Sequence, residues 1–360
     1  MRLLISIPVL LLLGACADVG YYWHSAGGHL ALMDKRVDID EMLADTGLDN
    51  GLRGRLLLVQ QIREFSIADL ALPDNGSYSS YVELDRPYVL QNLFAAAEFS
   101  TGLHIWCYPI VGCSSYRGYF DETRLQAYAE TLQKDGLEVY IGPVSAYSTL
   151  GWFDDPVLSS FIDWPDYRVA GLLFHELTHQ RVYIADDTGF NESLASAVQQ
   201  AGTLLWLESE NQASQLDRFH RWLAYRNRIT ALIGDTRDTL AQIYRQDIAE
   251  SEKRVQKTLA FDRARLAHAE IARQHEIKQG FTRWFASGLN NAKIGSIATY
   301  STQVPAFTNL ITAHNQDFNA FFSYVEKLGD LEKPMRDACL ESWRKQASVA
   351  EKACPGIPPP

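Results

Sequence analysis

Hydrophobic and polar positions follow two rhythms along this chain. Between residues 37 and 65 the apolar residues Ile39, Met42, Leu43, Leu48, Leu52, Leu56, Leu58, Val59 and Ile62 recur at helical spacing, which predicts helices with these side chains in a core. "GSYSSYVEL" and "YVLQNLFAAAEF" then read as a strand pair around Asp85-Arg86-Pro87, and "HIWCYPIVGCSSYRGYF" as loop and strand. A helix is expected near 121–135, followed by the apolar strand "LEVYIG". "PVSAYSTLGWFDDPVLSSFIDW" is rich in turn formers and aromatics, a composition typical of ordered loops that line sites. From about residue 167 the pattern is helical to the end, with 203–278 as a long charged hairpin or bundle. The expected class is therefore α+β and helix-rich, with a small N-terminal sheet and a long helical C-terminal part.

The two ends alter this picture. Arg2 precedes an apolar run over residues 3–13, too short to span a bilayer comfortably, so 1–15 reads as a signal peptide. Leu13-Gly14-Ala15-Cys16 looks like a bacterial lipobox, so the mature chain is expected to begin at a lipid-carrying Cys16. Ala17 in place of aspartate favours the outer membrane, facing the periplasm. The aromatic, Gly-rich stretch after Cys16 suggests an ordered strap, and 355–360, "PGIPPP", a frayed tail. Between them, 16–200 is expected to be the catalytic part and 201–354 a helical part packed on it.

The net charge of −11, with no dense Lys/Arg cluster, argues against nucleic acid as a partner. Lipid on Cys16 would be the membrane attachment, and the oligomeric state is not legible. With Cys16 set aside, Cys107, Cys113, Cys339 and Cys354 remain, an even number in an oxidising compartment. The local pairing, Cys107–Cys113 and Cys339–Cys354, is favoured because each closes a short loop rich in Pro or Gly.

The candidate chemistry lies in "LLFHELTHQRVYIADDTGFNESLA". His175 and His179 are four residues apart, so a helix presents both imidazoles from one face, one turn apart. Two neutral imidazoles there make half of a zinc site. Glu176 falls beside the metal rather than on it, placed to take a proton from a metal-activated water, which is the physical content of HExxH. The motif alone is only moderately specific. Val169, Leu172, Leu173, Phe174, Leu177 and Val182 surround it, and burying two imidazoles and a carboxylate there costs free energy unless something pairs them.

The third ligand must come from elsewhere. Val182 and Ala185 stand where a metzincin would need glycine and histidine. If one helix ends near Ile184 and another starts near Thr188 after an Asp186-Asp187 turn, Glu192 returns to about the level of His179. An antiparallel pair would then offer His175, His179 and Glu192 to one point, with a fourth position open. The plainer reading makes Glu192 a first-turn carboxylate, with Asn191 as cap. Asp186 and Asp187 either orient a histidine or simply make the turn.

"CYPIVGCSSYRGYF", "AYSTLGWFDDPVL", the HExxH stretch and "NNAKIGSIATYSTQVPAF" together resemble a family of bacterial lipoproteins described as zinc-dependent aminopeptidases, over nearly the whole mature chain. The resemblance implies a zincin-like fold and zinc peptidase chemistry on peptide substrates. It carries over His175 and His179 as zinc ligands and Glu176 as the catalytic carboxylate. Glu192 resembles the gluzincin third ligand, although Ser196 stands where such sites often have aspartate. By the same resemblance Tyr300 is the expected oxyanion donor, with Tyr183, Tyr147 and Arg117 as alternatives. An endopeptidase using the same ligands is one rival reading. A non-catalytic envelope lipoprotein that binds peptides or assembly partners is another.

Overall fold

A computed structural model describes residues 7–108, 112–276, 280–298 and 302–345 together with Cys354 and Ile357, with side chains from Gly20 onward. Tyr300 and most of the 355–360 tail lie outside the described residues.

The order of elements begins α1 (Ile7–Met33), β1 (Val37–Asp38), α2 (Ile39–Ala44), α3 (Asn50–Ala68), β2 (Ser80–Val82) and β3 (Leu90–Ala97). It continues β4 (Trp106–Tyr108), β5 (Gly112–Ser114), β6 (Arg117–Tyr119), α4 (Glu122–Lys134), β7 (Leu137–Val144) and β8 (Val157–Leu158). Helices then take over: α5 (Asp166–Arg181), α6 (Thr188–Ser209), α7 (Ala213–Arg245), α8 (Glu250–Gln274) and α9 (Thr282–Ala286). The last are α10 (Asn291–Ala298), α11 (Val304–Ala313), α12 (Phe318–Gly329) and α13 (Lys333–Arg344). The fold is thus helix-rich α+β, with its small sheets confined to the first half.

Two of the expected N-terminal features take a different form. The two candidate strands flanking Asp85-Arg86-Pro87 exist but do not pair with each other. β2 joins the sheet β1-β2-β8, whereas β3 is the centre of β6-β3-β7. The physical reason lies in the two faces of β3. Leu93 and Ala95 pack under Leu125, Ala129 and Leu132 of α4, while Phe94 and Ala96 meet Ala292 of α10. A strand covered on both faces needs a long partner on its edge, and β7 supplies one in register from Leu90↔Val144 to Ala97↔Leu137. The segment expected as a strap is helical, within α1; there Tyr21 donates to the Gly118 carbonyl at 3.0 Å. Among the described residues no helix is long and apolar enough to cross a membrane.

At the other end, Ile357 is buried and bridged to Cys354, so the expected fraying does not extend to that residue. The cysteines pair locally as expected, Cys107–Cys113 across the β4–β5 hairpin and Cys339–Cys354.

α3 and α4 begin on aspartate caps: Asp49 accepts from Leu52 N and Asp121 from Arg124 N. α3 buries Leu56, Val59 and Ile62 in the main core, and Phe65 reaches Phe174 of α5 at 6.0 Å between rings. α6 runs through residue 200 without a break, and α11–α13 return Phe307, Phe321, Phe322 and Leu340 to the same core. The α7–α8 hairpin builds a smaller core of its own from Ile229, Ile233, Leu240, Phe261 and Ile271.

The closest helix contact sets the site. Gly171 of α5 faces Thr203 and Gln199 of α6, and Gly202 of α6 faces Phe174 of α5. A Cβ on Gly202 would stand 2.6 Å from Leu70 and 3.0 Å from Phe174. With His175 and His179 opposite Glu192 further along, the order makes α5 and α6 antiparallel, and the two glycines hold their backbones close.

Candidate metal centre

α5 buries Val169, Ala170, Leu173, Phe174 and Leu177 in the core, which turns His175 and His179 towards α6. The helix ends at Arg181, where Val182 takes up extended backbone. Its N-terminus is anchored by Arg55, which donates to Asp166 at 2.5 Å and to the carbonyls of Ile162 and Trp164 at 2.7 Å. After the corner, α6 starts on Asp187, whose carboxylate accepts from Phe190 N. Glu192 then lies one turn into α6, facing back to the histidines.

The three side chains converge. His175 Nε2 and His179 Nε2 are 3.3 Å apart, and the Glu192 carboxylate lies 3.4 Å from the former and 3.8 Å from the latter. The donor atoms of all three lie within 4.8 Å of one another. Tetrahedral coordination with bonds of about 2.0–2.1 Å separates neighbouring donors by about 3.3 Å, so this trio has the spacing of a zinc site. Two neutral imidazoles and a carboxylate also match zinc in chemistry. The His175 and His179 side chains are only 17% and 7% exposed, and that of Glu192 24%.

The electrostatics fit a cation. Burial holds the His179 imidazole neutral, lowering its pKa to about 4. Burial pushes Glu192 upward, but the hydrogen bond from His175 and the nearness of the two imidazoles outweigh it, so its carboxyl titrates below the usual range. Glu176, buried outside the trio, is pushed up to about 7, mainly by burial.

Neither aspartate of the corner orients an imidazole. Asp186, at φ 62°, accepts from Cys113 N at 2.6 Å, and Asp187 binds Arg336 at 2.7 Å and Lys333 at 3.2 Å. The buried Nδ1 atoms of His175 and His179 have no hydrogen-bond partner among the described residues. Asn191 is not the helix cap either. Its side chain holds both backbone groups of Ile184, donating to the carbonyl at 2.7 Å and accepting from the N–H at 2.8 Å.

The alternative oxyanion donors stand apart from one another. Tyr147 is bonded to His29 of α1 at 2.6 Å, and Arg117 lies over the Tyr21 ring at 3.8 Å. Tyr183 is more exposed, and its hydroxyl is raised by burial and by the charges of Glu192 and Asp186.

Residues 20–340 match the profile of a protein family described as "Putative aminopeptidase". The chain belongs to that family. Membership in this aminopeptidase family suggests peptidase activity, and with it a peptide substrate. No curated protein and no solved structure matches the chain.

Beside the motif, this aminopeptidase-family chain has a buried polar network that sequence reasoning missed. Gln180, next to His179, donates to Asp155 at 2.9 Å and to Ser77 at 3.1 Å, and Asn75 donates to Gln180 at 2.7 Å. Asp155 also accepts from Thr149 N at 3.0 Å. Tyr78, at φ 61° and 1% exposed, donates its N–H to the Asp155 carbonyl at 2.6 Å. Its hydroxyl has no hydrogen-bond partner among the described residues and is raised by burial and then by the charges of Glu176 and Asp155. The aromatic loop flagged in the sequence was the available signal for Asp155; nothing in the local pattern marked Tyr78.

Proposed function

We propose that the chain is a zinc-dependent peptidase, an aminopeptidase in keeping with its family, with His175, His179 and Glu192 holding the ion and Glu176 acting as general base. The observation that carries this reading is the division of labour in one place. Three donor atoms converge at ligand spacing while a second buried carboxyl, that of Glu176, is left outside the trio.

When bound, zinc supplies Lewis-acid polarisation of the scissile carbonyl and a water acidic enough to attack near neutral pH. Glu176 accepts the proton released by the attacking water on its carboxylate and passes it to the departing amine. A carboxyl titrating at about 7 is suited to both transfers, since it gains and loses a proton near the working pH. α5 holds Glu176 one residue from a ligand, so the proton acceptor and the ion share one rigid element. His175 and Glu192, the more exposed pair, leave the side by which a peptide enters.

We also propose that residues 1–15 are removed, that Cys16 carries lipid, and that the enzyme works at the periplasmic face of the outer membrane. The motif Leu13-Gly14-Ala15-Cys16 supports this reading.

Metal analysis of the purified chain should find about one zinc per chain, lost on Glu192→Ala. Peptides with free amino termini should be hydrolysed and amino-blocked ones spared, and Glu176→Gln should lower the rate by at least about a hundredfold while keeping the metal. Full activity in Glu176→Gln would overturn the mechanism, and cleavage of blocked peptides alone would make the enzyme an endopeptidase.

A further inference from the structure

The chain carries an excess of acid, yet two guanidinium groups beside the candidate centre have no carboxylate partner among the described residues. Arg168 lies seven residues before His175 on α5, which places it on the same helical face, two turns or about 10.5 Å along the axis. Arg226 comes from α7, which packs on α5 through Tyr167, whose ring is 5.7 Å from Phe219 and 6.2 Å from Trp222. One turn beyond Trp222 brings Arg226 to the His175 side of that contact. α6 carries the chain past the start of α5 and α7 returns from there, so this turn of α7 leads towards His175, and Arg168, next to Tyr167, lies along the same contact.

Both guanidinium groups rest on tryptophan faces. Arg168 Cζ is 4.0 Å from the Trp164 ring centroid and Arg226 Cζ 5.3 Å from that of Trp222. Stacking of this kind fixes the plane of a guanidinium and leaves its N–H edge for a planar anion. Both arginines are half-buried, so their mutual repulsion is weakly screened and is unrelieved by any acid in the described structure. Of common anions, a carboxylate matches the fork of a guanidinium by two parallel hydrogen bonds.

We infer that Arg226, backed by Arg168, forms a carboxylate subsite on the α5–α7 side of the His175, His179 and Glu192 centre. The inference rests on the proposed peptidase reading and narrows its substrate class to peptides with a free carboxylate close to the scissile bond. That carboxylate is either the C-terminus of a short peptide or an aspartate or glutamate side chain.

Calorimetric titration of the full chain, as purified and after chelation, tests this with Ala-Ala-Ala as free acid and as C-terminal amide. The two share one amino terminus, so recognition of the amine cancels. The acid should bind at least about tenfold more tightly than the amide, with or without metal. Arg226→Gln should bring the two to within about twofold, and Arg226→Lys, which keeps the charge without the fork, should restore part of the difference. Ala-Glu-Ala-amide against Ala-Gln-Ala-amide asks the same of a side-chain carboxylate, and the pair that shows the larger ratio names the source. If Arg226→Gln loses its native circular dichroism, Arg168→Gln carries the test. Equal binding of acid and amide by the unaltered chain overturns the subsite, as does a ratio that survives both glutamine variants. Absence of zinc or of hydrolysis would overturn the peptidase reading alone, because the chelated titration needs neither.

Discussion

Asn191 grips Ile184 at both ends of one residue's backbone, across the corner that joins α5 to α6. The next residue is Glu192, so the bond pair fixes where the third candidate ligand enters its helix. Asn191→Ala should leave the part-buried N–H of Ile184 unpaired and its carbonyl held by Asp187 N alone, and destabilise the chain by about 1–3 kcal/mol. The same change should weaken zinc binding by roughly tenfold to a hundredfold, as loss of ligand-supporting contacts generally does. Chemical denaturation and competition with a chromophoric chelator measure the two effects, and unchanged metal affinity would free the corner of any role in the site.

Asp187 and Arg336 form an almost fully buried ion pair between the start of α6 and α13, with Lys333 alongside. Arg336→Met should cost up to about 3–5 kcal/mol, because it leaves the buried carboxylate with only the half-exposed Lys333 and the Phe190 N–H. A double variant, Asp187→Leu with Arg336→Met, should recover much of that loss by removing both charges. Urea melts of the three proteins check it; a double variant no better than the worse single one would contradict the pair as the cause.

The chelated protein should show a pH signature from Glu176. Its carboxyl titrates at about 7 in the fold against an ordinary 4.5, so between those values the native chain holds a proton that the unfolded chain has lost. Stability from this group is therefore present at low pH and falls as pH rises through about 7, by up to about 3 kcal/mol. His179 works in the opposite sense: its pKa, lowered from 6.5 to about 4, makes stability fall as pH drops through that window. Glu176→Gln removes only the first effect. Its melting temperature relative to the unaltered chain should rise from pH 5 to pH 8, and a constant difference would show that Glu176 does not titrate there.

Gly202→Ala should separate α5 from α6, since the new methyl would meet Leu70 and Phe174 at 2.6 and 3.0 Å. Overpacking of this kind costs about 1–3 kcal/mol. Phe174 is the neighbour of His175, so zinc affinity should fall along with the melting temperature. A variant with native melting and native affinity would show that the contact relaxes at no cost.

The helical parts of this fold were legible because their apolar spacing is regular. Ile39, Leu56, Val59 and Ile62 are buried as the period predicts, and the α5–α6 corner falls at Asp186-Asp187 as the spacing of His179 and Glu192 suggested. Strand pairing was less legible. Two neighbouring apolar runs read as a hairpin, but β3 is covered on both faces and its long partner, β7, lies forty residues on, a relationship no local period encodes. The N-terminal stretch misled through its glycines and aromatics, which local propensity reads as strap while contacts to Tyr147 and Gly118 accompany a helix. Of the site, the HExxH pair and Glu192 could be read from helical geometry. The polar groups behind it could not, because Asn75, Ser77, Tyr78 and Asp155 come from two separate loops that meet only in the folded chain.

The corner is tethered from outside the ligand trio: Cys113 holds Asp186, Arg336 holds Asp187, and Asn191 holds Ile184. None of these bonds involves a ligand atom, so capture of an ion does not have to organise the helix pair. The rate at which a zinc ion leaves the proposed centre should accordingly be insensitive to mild denaturant. A chelator would then empty the centre long before it loosened the fold.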